Sequence, residues 1–325
     1  MTGIKATGER KLMLFSGRGH RELAEDVAGR LGTGVTPAEL KDFANGEIYV
    51  RYEESVRGCD AFVLQAHTAP INHRIMEQLI MVDALKRASA ERITVVAPFF
   101  GYARQDKKHR GREPVSARLM ADLFTAAGAD RLMVVDLHTA QIQGFFDGPV
   151  DHLHAMPLLA DHVARLVGSS ELTIVAPDAG RVRVAERWTD RAGCALAIIH
   201  KRRDPARPGE ISVQDVVGEI AGRTCVIVDD MIDTGGTIVR AAEALAARGA
   251  AEIIAAATHG VFSGDAAERL AASAVSRLII TDTLPLPPGF HFDDLTVLSI
   301  SPLVARAIRE VFTDGSVTTL FEGES

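Results

Sequence analysis

The stretch VIVDDMIDTGGTI, Val226–Ile238, holds side chains whose types and spacing point to a specific chemistry. β-Branched Val226, Ile227 and Val228 lead into two adjacent carboxylates, Asp229 and Asp230. Asp233, Thr234, Gly235, Gly236 and Thr237 follow as a small polar loop, and an alanine-rich helical pattern begins at Ile238. A buried strand, a loop of N–H and hydroxyl donors, and a helix N-terminus together can hold a phosphate. The glycines let the backbone come close to an anion and take positive φ. Two carboxylates beside that loop would repel a bare phosphate. They make sense if the ligand also carries hydroxyls or a metal, as a sugar phosphate does. The plainer alternative is a strand–turn–helix junction capped by Asp or Thr.

Four further constellations carry charge or ligating groups. Phe99–Arg112, FFGYARQDKKHRGR, follows an apolar strand pattern and so belongs at the C-terminal edge of a parallel sheet. Lys and Arg fill five of the nine positions from Arg104 to Arg112, no aromatic interrupts Lys107–Arg112, and the chain's net charge is −7. A small polyphosphate suits that loop better than a nucleic acid does, and Arg can grip phosphate with two donors. Phe43-Ala44-Asn45-Gly46-Glu47 is an Asn-Gly turn whose aromatic, amide and carboxylate could stack on a base and bond its edge. His138, in DLHTAQIQGFFD, and Asp178, in APDAGR, each lie just past a strand pattern. The two could share one divalent ion with phosphate oxygens and water, which is Mg²⁺ chemistry and not zinc chemistry. Ile199–Glu210, IIHKRRDPARPGE, takes three cations out of a strand into a Pro-rich stretch. It reads either as an exposed hairpin or as a flap that brings Lys201 and Arg203 to a polyphosphate.

Elements must position these groups. Short apolar runs alternate with helical patterns along the whole chain, which predicts βαβ units and an α/β fold with mainly parallel sheets flanked by helices. Examples are a strand over Lys11–Phe15, a helix over Arg21–Leu31, a strand over Thr224–Asp229 and a helix over Leu303–Phe312. RLMVVDLHTAQ, Arg131–Gln141, echoes RTCVIVDDMIDTGG, Arg223–Gly236, as strand, Asp, then polar loop. The echo suggests two domains of one fold with a boundary near Asp151–Pro157. A length of 325 residues accommodates two domains, and 47% hydrophobic with 24% charged residues is a globular composition. Cys59, Cys194 and Cys225 form no CxxC pattern, so neither a zinc site nor a disulfide framework is indicated, and a cytoplasmic location is expected. The N-terminus has no apolar signal-peptide core, and no apolar run approaches the roughly 20 residues of a membrane span.

The Val226–Ile238 loop resembles the 5-phosphoribosyl-binding loop of the type I phosphoribosyltransferase fold. With FANGEI, YARQDKK, DLHTAQIQGFFD, APDAG and HKRRD added, the chain resembles the ribose-phosphate pyrophosphokinase family, class I-like, from about Leu12 to Phe321. The resemblance implies two tandem phosphoribosyltransferase-like domains: 1–153 with the ATP motifs, 154–302 with the ribose 5-phosphate loop, and a C-terminal helix and tail over 303–325 that packs on the first. It implies transfer of the β,γ-diphosphoryl group of ATP to the 1-hydroxyl of ribose 5-phosphate, giving 5-phosphoribosyl 1-pyrophosphate and AMP. Carried residue by residue, it puts Phe43, Asn45, Gly46, Glu47, Arg104, Gln105 and Asp106 at ATP, Asn45 standing where relatives often have Asp. His138 and Asp178 fall at Mg²⁺, and Lys201 and Arg203 in the catalytic flap. Arg203, Asp229, Asp230, Asp233, Thr234, Gly235, Gly236 and Thr237 fall at ribose 5-phosphate. Ser55, Arg57, Ser89, Ser316 and Thr318 match a regulatory pocket for phosphate, an activator, and ADP, an inhibitor. The implied assembly is a homohexamer built from dimers, with no nucleic-acid or membrane partner.

Two departures stand out. Arg181 occupies a position where many relatives have a second Gly after the PD-x-G turn, and SGRGH, Ser16–His20, is a variable segment without a role. Two rivals are a phosphoribosyltransferase that consumes the product and a non-catalytic regulatory homologue. The first has no use for YARQDKK, DLHTAQ and HKRR together. The second is expected to lack Lys201 and Arg203, which are present.

Overall fold

Continuous apolar strands, covered by helices, form the frame of both halves of the chain. The structure is a computed structural model and describes residues 10–168, 171–201 and 214–318. These fall into two compact units: residues up to Leu153 together with those from Ser301 onward, and His154–Ile300.

In the first unit the elements run β1 (Leu12–Ser16), α1 (Arg21–Leu31), β2 (Ala38–Asp42), β3 (Ile48–Tyr52), β4 (Asp60–Leu64), α2 (Ile71–Arg87), β5 (Arg92–Ala97), α3 (Ser116–Ala127), β6 (Arg131–Val135) and β7 (Val150–Leu153). Strands β1, β4, β5, β6 and β7 pair in that order, all parallel, while β2 and β3 form a separate antiparallel ribbon. β4 is buried along its whole length, as a strand with both faces covered must be. Helix α2 buries Ile75, Leu79, Val82 and Leu85 at helical spacing.

The second unit contains α4 (Met156–Val167), β8 (Leu172–Ala176), α5 (Val182–Ala192), β9 (Ala195–Lys201), β10 (Gln214–Val217), β11 (Thr224–Ile232), α6 (Gly236–Ala247), β12 (Glu252–Gly260), α7 (Ala266–Ala271), β13 (Arg277–Thr281) and β14 (Leu295–Leu298). Its sheet order is β10-β9-β8-β11-β12-β13-β14, parallel except for β10 against β9. The last helix, α8 (Ser301–Phe312), returns to the first unit and packs on α1. There Arg309 Nη2 reaches the Arg30 carbonyl at 3.0 Å and Arg30 Nε reaches Ser301 Oγ at 2.8 Å. Among the described residues no helix is long and apolar enough to cross a membrane.

The strand that carries the acid pair differs from the sequence expectation. β11 does not end at Asp229 but runs on to Ile232. β8 stops pairing with it at Ile227↔Val175, whereas the nine-residue β12 continues through Met231↔His259 and Ile232↔Gly260. One-sided pairing keeps the acids in extended backbone and opens the edge that β8 has left.

Candidate active site

In the second unit β11 delivers Asp229 and Asp230 side by side, with Asp229 partly covered and Asp230 buried. Arg181 meets both: its Nε lies 2.7 Å from Asp229 Oδ1 and its Nη2 2.5 Å from Asp230 Oδ1. Burial pushes the Asp229 carboxyl up from 3.8 to about 8; Arg181 pulls against that rise, and Asp230 adds to it. Beyond Ile232 the loop is pinned by the Ser263 N–H on the Asp233 carbonyl at 3.0 Å and by Arg269 Nη1 on the Thr234 carbonyl at 3.3 Å. Gly235 takes φ 73°, the left-handed region, where a Cβ would also sit 3.1 Å from Leu270 Cγ. α6 starts directly after it, and no side chain caps its first turn. An acid pair, an N–H-rich loop and a helix start with no side-chain cap thus converge at one strand end, which suits a ligand with hydroxyls at one end and phosphate at the other.

In the first unit FANGE forms the tip of the β2–β3 ribbon. The Phe43 N–H bonds the Glu47 carbonyl at 2.8 Å, and Asn45 Oδ1 takes the Glu47 N–H at 3.2 Å, so Asn45 shapes the turn itself. Phe43 is 49% exposed and borders a cavity of about 620 Å³ with Gly46, Glu47, Asn72, His73 and Met76. The ribbon is moored beside its tip. Arg18 Nη2 lies 2.7 Å from Asp42 Oδ1, while Arg18 Nε bonds Glu77, whose side chain is wholly buried.

The basic loop after β5 is built on its neighbours. The Gly101 N–H donates to His67 Nδ1 at 2.9 Å, and Tyr102, at φ 65°, donates its hydroxyl to Asn72 at 2.5 Å. Gln105 accepts from Ser116 Oγ at 2.6 Å, and Arg104 is exposed. Asp106 is 5% exposed and accepts from Thr139 Oγ1 at 2.7 Å and Gln141 Nε2 at 2.5 Å. It therefore ties the basic loop to the DLHTAQ loop. His152 steadies that second loop by accepting the Leu137 N–H at 2.8 Å.

His138 follows β6 in the first unit, and Asp178 follows β8 in the second, each half-buried past a strand end. Asp178 caps the turn Ala179–Arg181 by accepting the Gly180 N–H at 2.9 Å. Lys201 is the last residue of β9, its backbone opposite Gln214, and Arg203 lies outside the described residues. Ser55, Arg57, Ser89, Ser316 and Thr318 are all exposed, and the Ser89 carbonyl takes the Gly58 N–H at 2.8 Å.

Residues 12–128 match a family model described as the N-terminal domain of ribose phosphate pyrophosphokinase, and residues 208–322 match a phosphoribosyl synthetase-associated domain. A ribose-phosphate pyrophosphokinase of Streptomyces avermitilis is 66% identical over 322 residues, covering 99% of both chains. The chain belongs to the ribose-phosphate pyrophosphokinase family. A ribose-phosphate pyrophosphokinase of Corynebacterium glutamicum is 58% identical over 326 residues, covering 100% of each chain. The crystal structure of phosphoribosylpyrophosphate synthetase from Mycobacterium smegmatis superposes with a TM-score of 0.89 at 57% identity, over 94% of this chain and 100% of that one.

Within this pyrophosphokinase fold, two site-building residues escaped the sequence reading. Arg18 belongs to the unassigned SGRGH segment, yet it joins Asp42 to Glu77. Its Arg between two glycines was the available signal: Cβ atoms at Gly17 and Gly19 would lie 2.4 Å from Gln65 and the Ala66 carbonyl, so the backbone passes there closely. Arg181 was noted as a departure, and its partners on β11 lie about 50 residues away in the chain.

Proposed function

We propose that this protein is a ribose-phosphate diphosphokinase supplying nucleotide biosynthesis, with the β11–α6 junction as its acceptor site. It transfers the β,γ-diphosphoryl group of ATP to the 1-hydroxyl of ribose 5-phosphate and yields 5-phosphoribosyl 1-pyrophosphate and AMP. The observation that carries the acceptor assignment is the acid pair standing one short loop ahead of the left-handed Gly235 and the start of α6. Asp229 and Asp230 accept hydrogen bonds from ribose hydroxyls, and the Asp233–Thr237 loop receives the 5-phosphate. Phe43, Asn45, Gly46, Glu47, Arg104, Gln105 and Asp106 form the ATP side, Asp106 acting by holding the Thr139–Gln141 segment against the basic loop.

The 1-hydroxyl oxygen attacks the β-phosphorus in line. The bond from that phosphorus to the oxygen bridging the α-phosphate breaks, AMP leaves with that oxygen, and the hydroxyl proton is released to solvent. Such a transfer depends on alignment and charge neutralisation more than on covalent help from side chains. Lys201 and Arg203 bring positive charge to the transferred group. Asp178 offers a carboxylate oxygen, the donor type Mg²⁺ favours, and His138 a ring nitrogen, each past its own strand end; these are the residues that would hold Mg²⁺. When bound, Mg²⁺ offsets the charge of the polyphosphate. Assembly as a homohexamer of dimers, a cytoplasmic location, and phosphate and ADP regulation through Ser55, Arg57, Ser89, Ser316 and Thr318 complete the proposal.

Incubating the pure protein with ATP and ribose 5-phosphate tests it. AMP and 5-phosphoribosyl 1-pyrophosphate should form together in equal amounts. A phosphoribosyltransferase would form neither from these substrates, and a non-catalytic homologue would leave ATP intact.

A further inference from the structure

Two carboxylates beside a phosphate loop pose an electrostatic problem. A ribose 5-phosphate entering the β11–α6 junction brings its phosphate near Asp229 and Asp230, whose side chains are only 13% and 8% exposed. Little water is available there to screen the repulsion. Arg181 lies in the same place. It ends the turn Ala179–Arg181, its side chain is 15% exposed, and it spans both acids with separate nitrogens. One guanidinium set against the acid pair offsets one unit of the negative charge the pair carries when ionised. Its planar fork also engages the Oδ1 of each acid, which fixes the rotation of both carboxylate planes. Asp229 Oδ1 accepts the Asp230 N–H at 2.8 Å as well, so the pair is held from two sides.

We infer that Arg181 is a positioning and specificity residue for the acceptor sugar phosphate: it orients Asp229 and Asp230 toward the ribose hydroxyls and offsets part of the charge that would otherwise repel the 5-phosphate. The inference rests on the acceptor-site reading above. A smaller residue at position 181 would leave that balance to another group, so the Arg in the PDAGR turn defines a local variant of the site.

Steady-state kinetics on the full chain with each substrate varied in turn tests this, with Arg181→Gln, Arg181→Lys and Asp229→Asn compared. Arg181→Gln should raise KM for ribose 5-phosphate by about tenfold or more, because both acids lose their charged donor, and leave KM for ATP unchanged. Arg181→Lys restores the charge without the fork and should recover part of the loss. Calorimetric titration with ribose 5-phosphate alone should show the same order of affinities. If Asp229→Asn raises KM for ribose 5-phosphate and Arg181→Gln does not, Arg181 is only a structural ion pair and the inference falls while the acceptor site stands. If neither variant moves that KM, the acceptor-site reading falls with it. An equal rise in KM for ATP in Arg181→Gln would mark general damage to the fold and would also overturn the inference.

Discussion

At Asp229, burial and charge pull in opposite directions. Burial raises its carboxyl from 3.8 to about 8 and Arg181 opposes the rise. An acid whose folded value lies above its unfolded one contributes stability that is complete below the unfolded value and lost as pH rises through the folded value. This residue therefore favours the fold in acid and less so as pH climbs from 3.8 to about 8. In Asp229→Asn, the melting temperature without ligand should vary less with pH across that window, by scanning calorimetry; an unchanged slope would refute the claim. A second residue-scale expectation concerns Lys201, the last residue of β9. Lys201→Ala should lower kcat by about 10²–10³, the usual cost of one transition-state donor in a closed site, with little change in KM for ATP. Near-normal AMP release would remove Lys201 from the chemistry. The strand ends that carry the acids, the loop and Lys201 were legible because a run of apolar residues leads into each. Arg181 was visible only as an anomaly, since its meaning depends on Asp229 and Asp230, which the fold brings from another strand.

At the scale of elements, Arg18 tethers the tip end of the β2–β3 ribbon. It joins Asp42, beside the turn, to buried Glu77 on α2, and His73 Nε2 approaches Asp42 at 3.2 Å. Arg18→Ala should let the ribbon carrying Phe43 and Glu47 drift, raising KM for ATP several-fold with kcat less affected. It should also cost on the order of 2 kcal/mol of stability. That is below the full cost of stranding a buried charge, because Gln65 Nε2 still reaches Glu77 at 2.6 Å and Arg74 at 3.7 Å. Kinetics and urea unfolding measure the two effects separately, and a wild-type KM would show the ribbon is held by other contacts. Helix α1 was readable to both ends, from Arg21 to Leu31, because its apolar spacing is regular and Gly32 closes it in the left-handed region. The ribbon was not. AELKD offers only Ala38 and Leu40 as an apolar face and stays half-exposed, so only its turn signalled structure. β10, QDVV, is an edge strand of four residues and too short to announce itself. Glu77 gave no hint of burial either, because a Glu within a helical pattern usually faces solvent.

For the whole molecule, the strand–helix alternation conveyed the α/β class and the parallel sheets. It did not convey which helix belongs to which unit. The apolar stripe of α8 shows that this helix needs a partner, but not that the partner is α1, some 270 residues earlier. A chain ended at Ile300 should lose this packing, at about 1.5–3 kcal/mol for each of buried Val304 and Ile308. Two transitions should then separate in a thermal melt, the first unit unfolding earlier than in the full chain and the second unchanged; a single unshifted transition would show α8 to be dispensable. Arg10 and Arg92 add to the attachment through Asp314, the latter at 3.0 Å. The return of α8 also sets a schedule for synthesis. A ribosome delivers the chain up to Leu153 first, yet the helix that closes this unit emerges only after all of 154–300. The second unit can therefore finish folding while the first still waits with one side of α1 uncovered. During that interval the nascent first half is open to holding chaperones and to wrong partners, and a helix translated after the whole second unit is the one that ends its vulnerability.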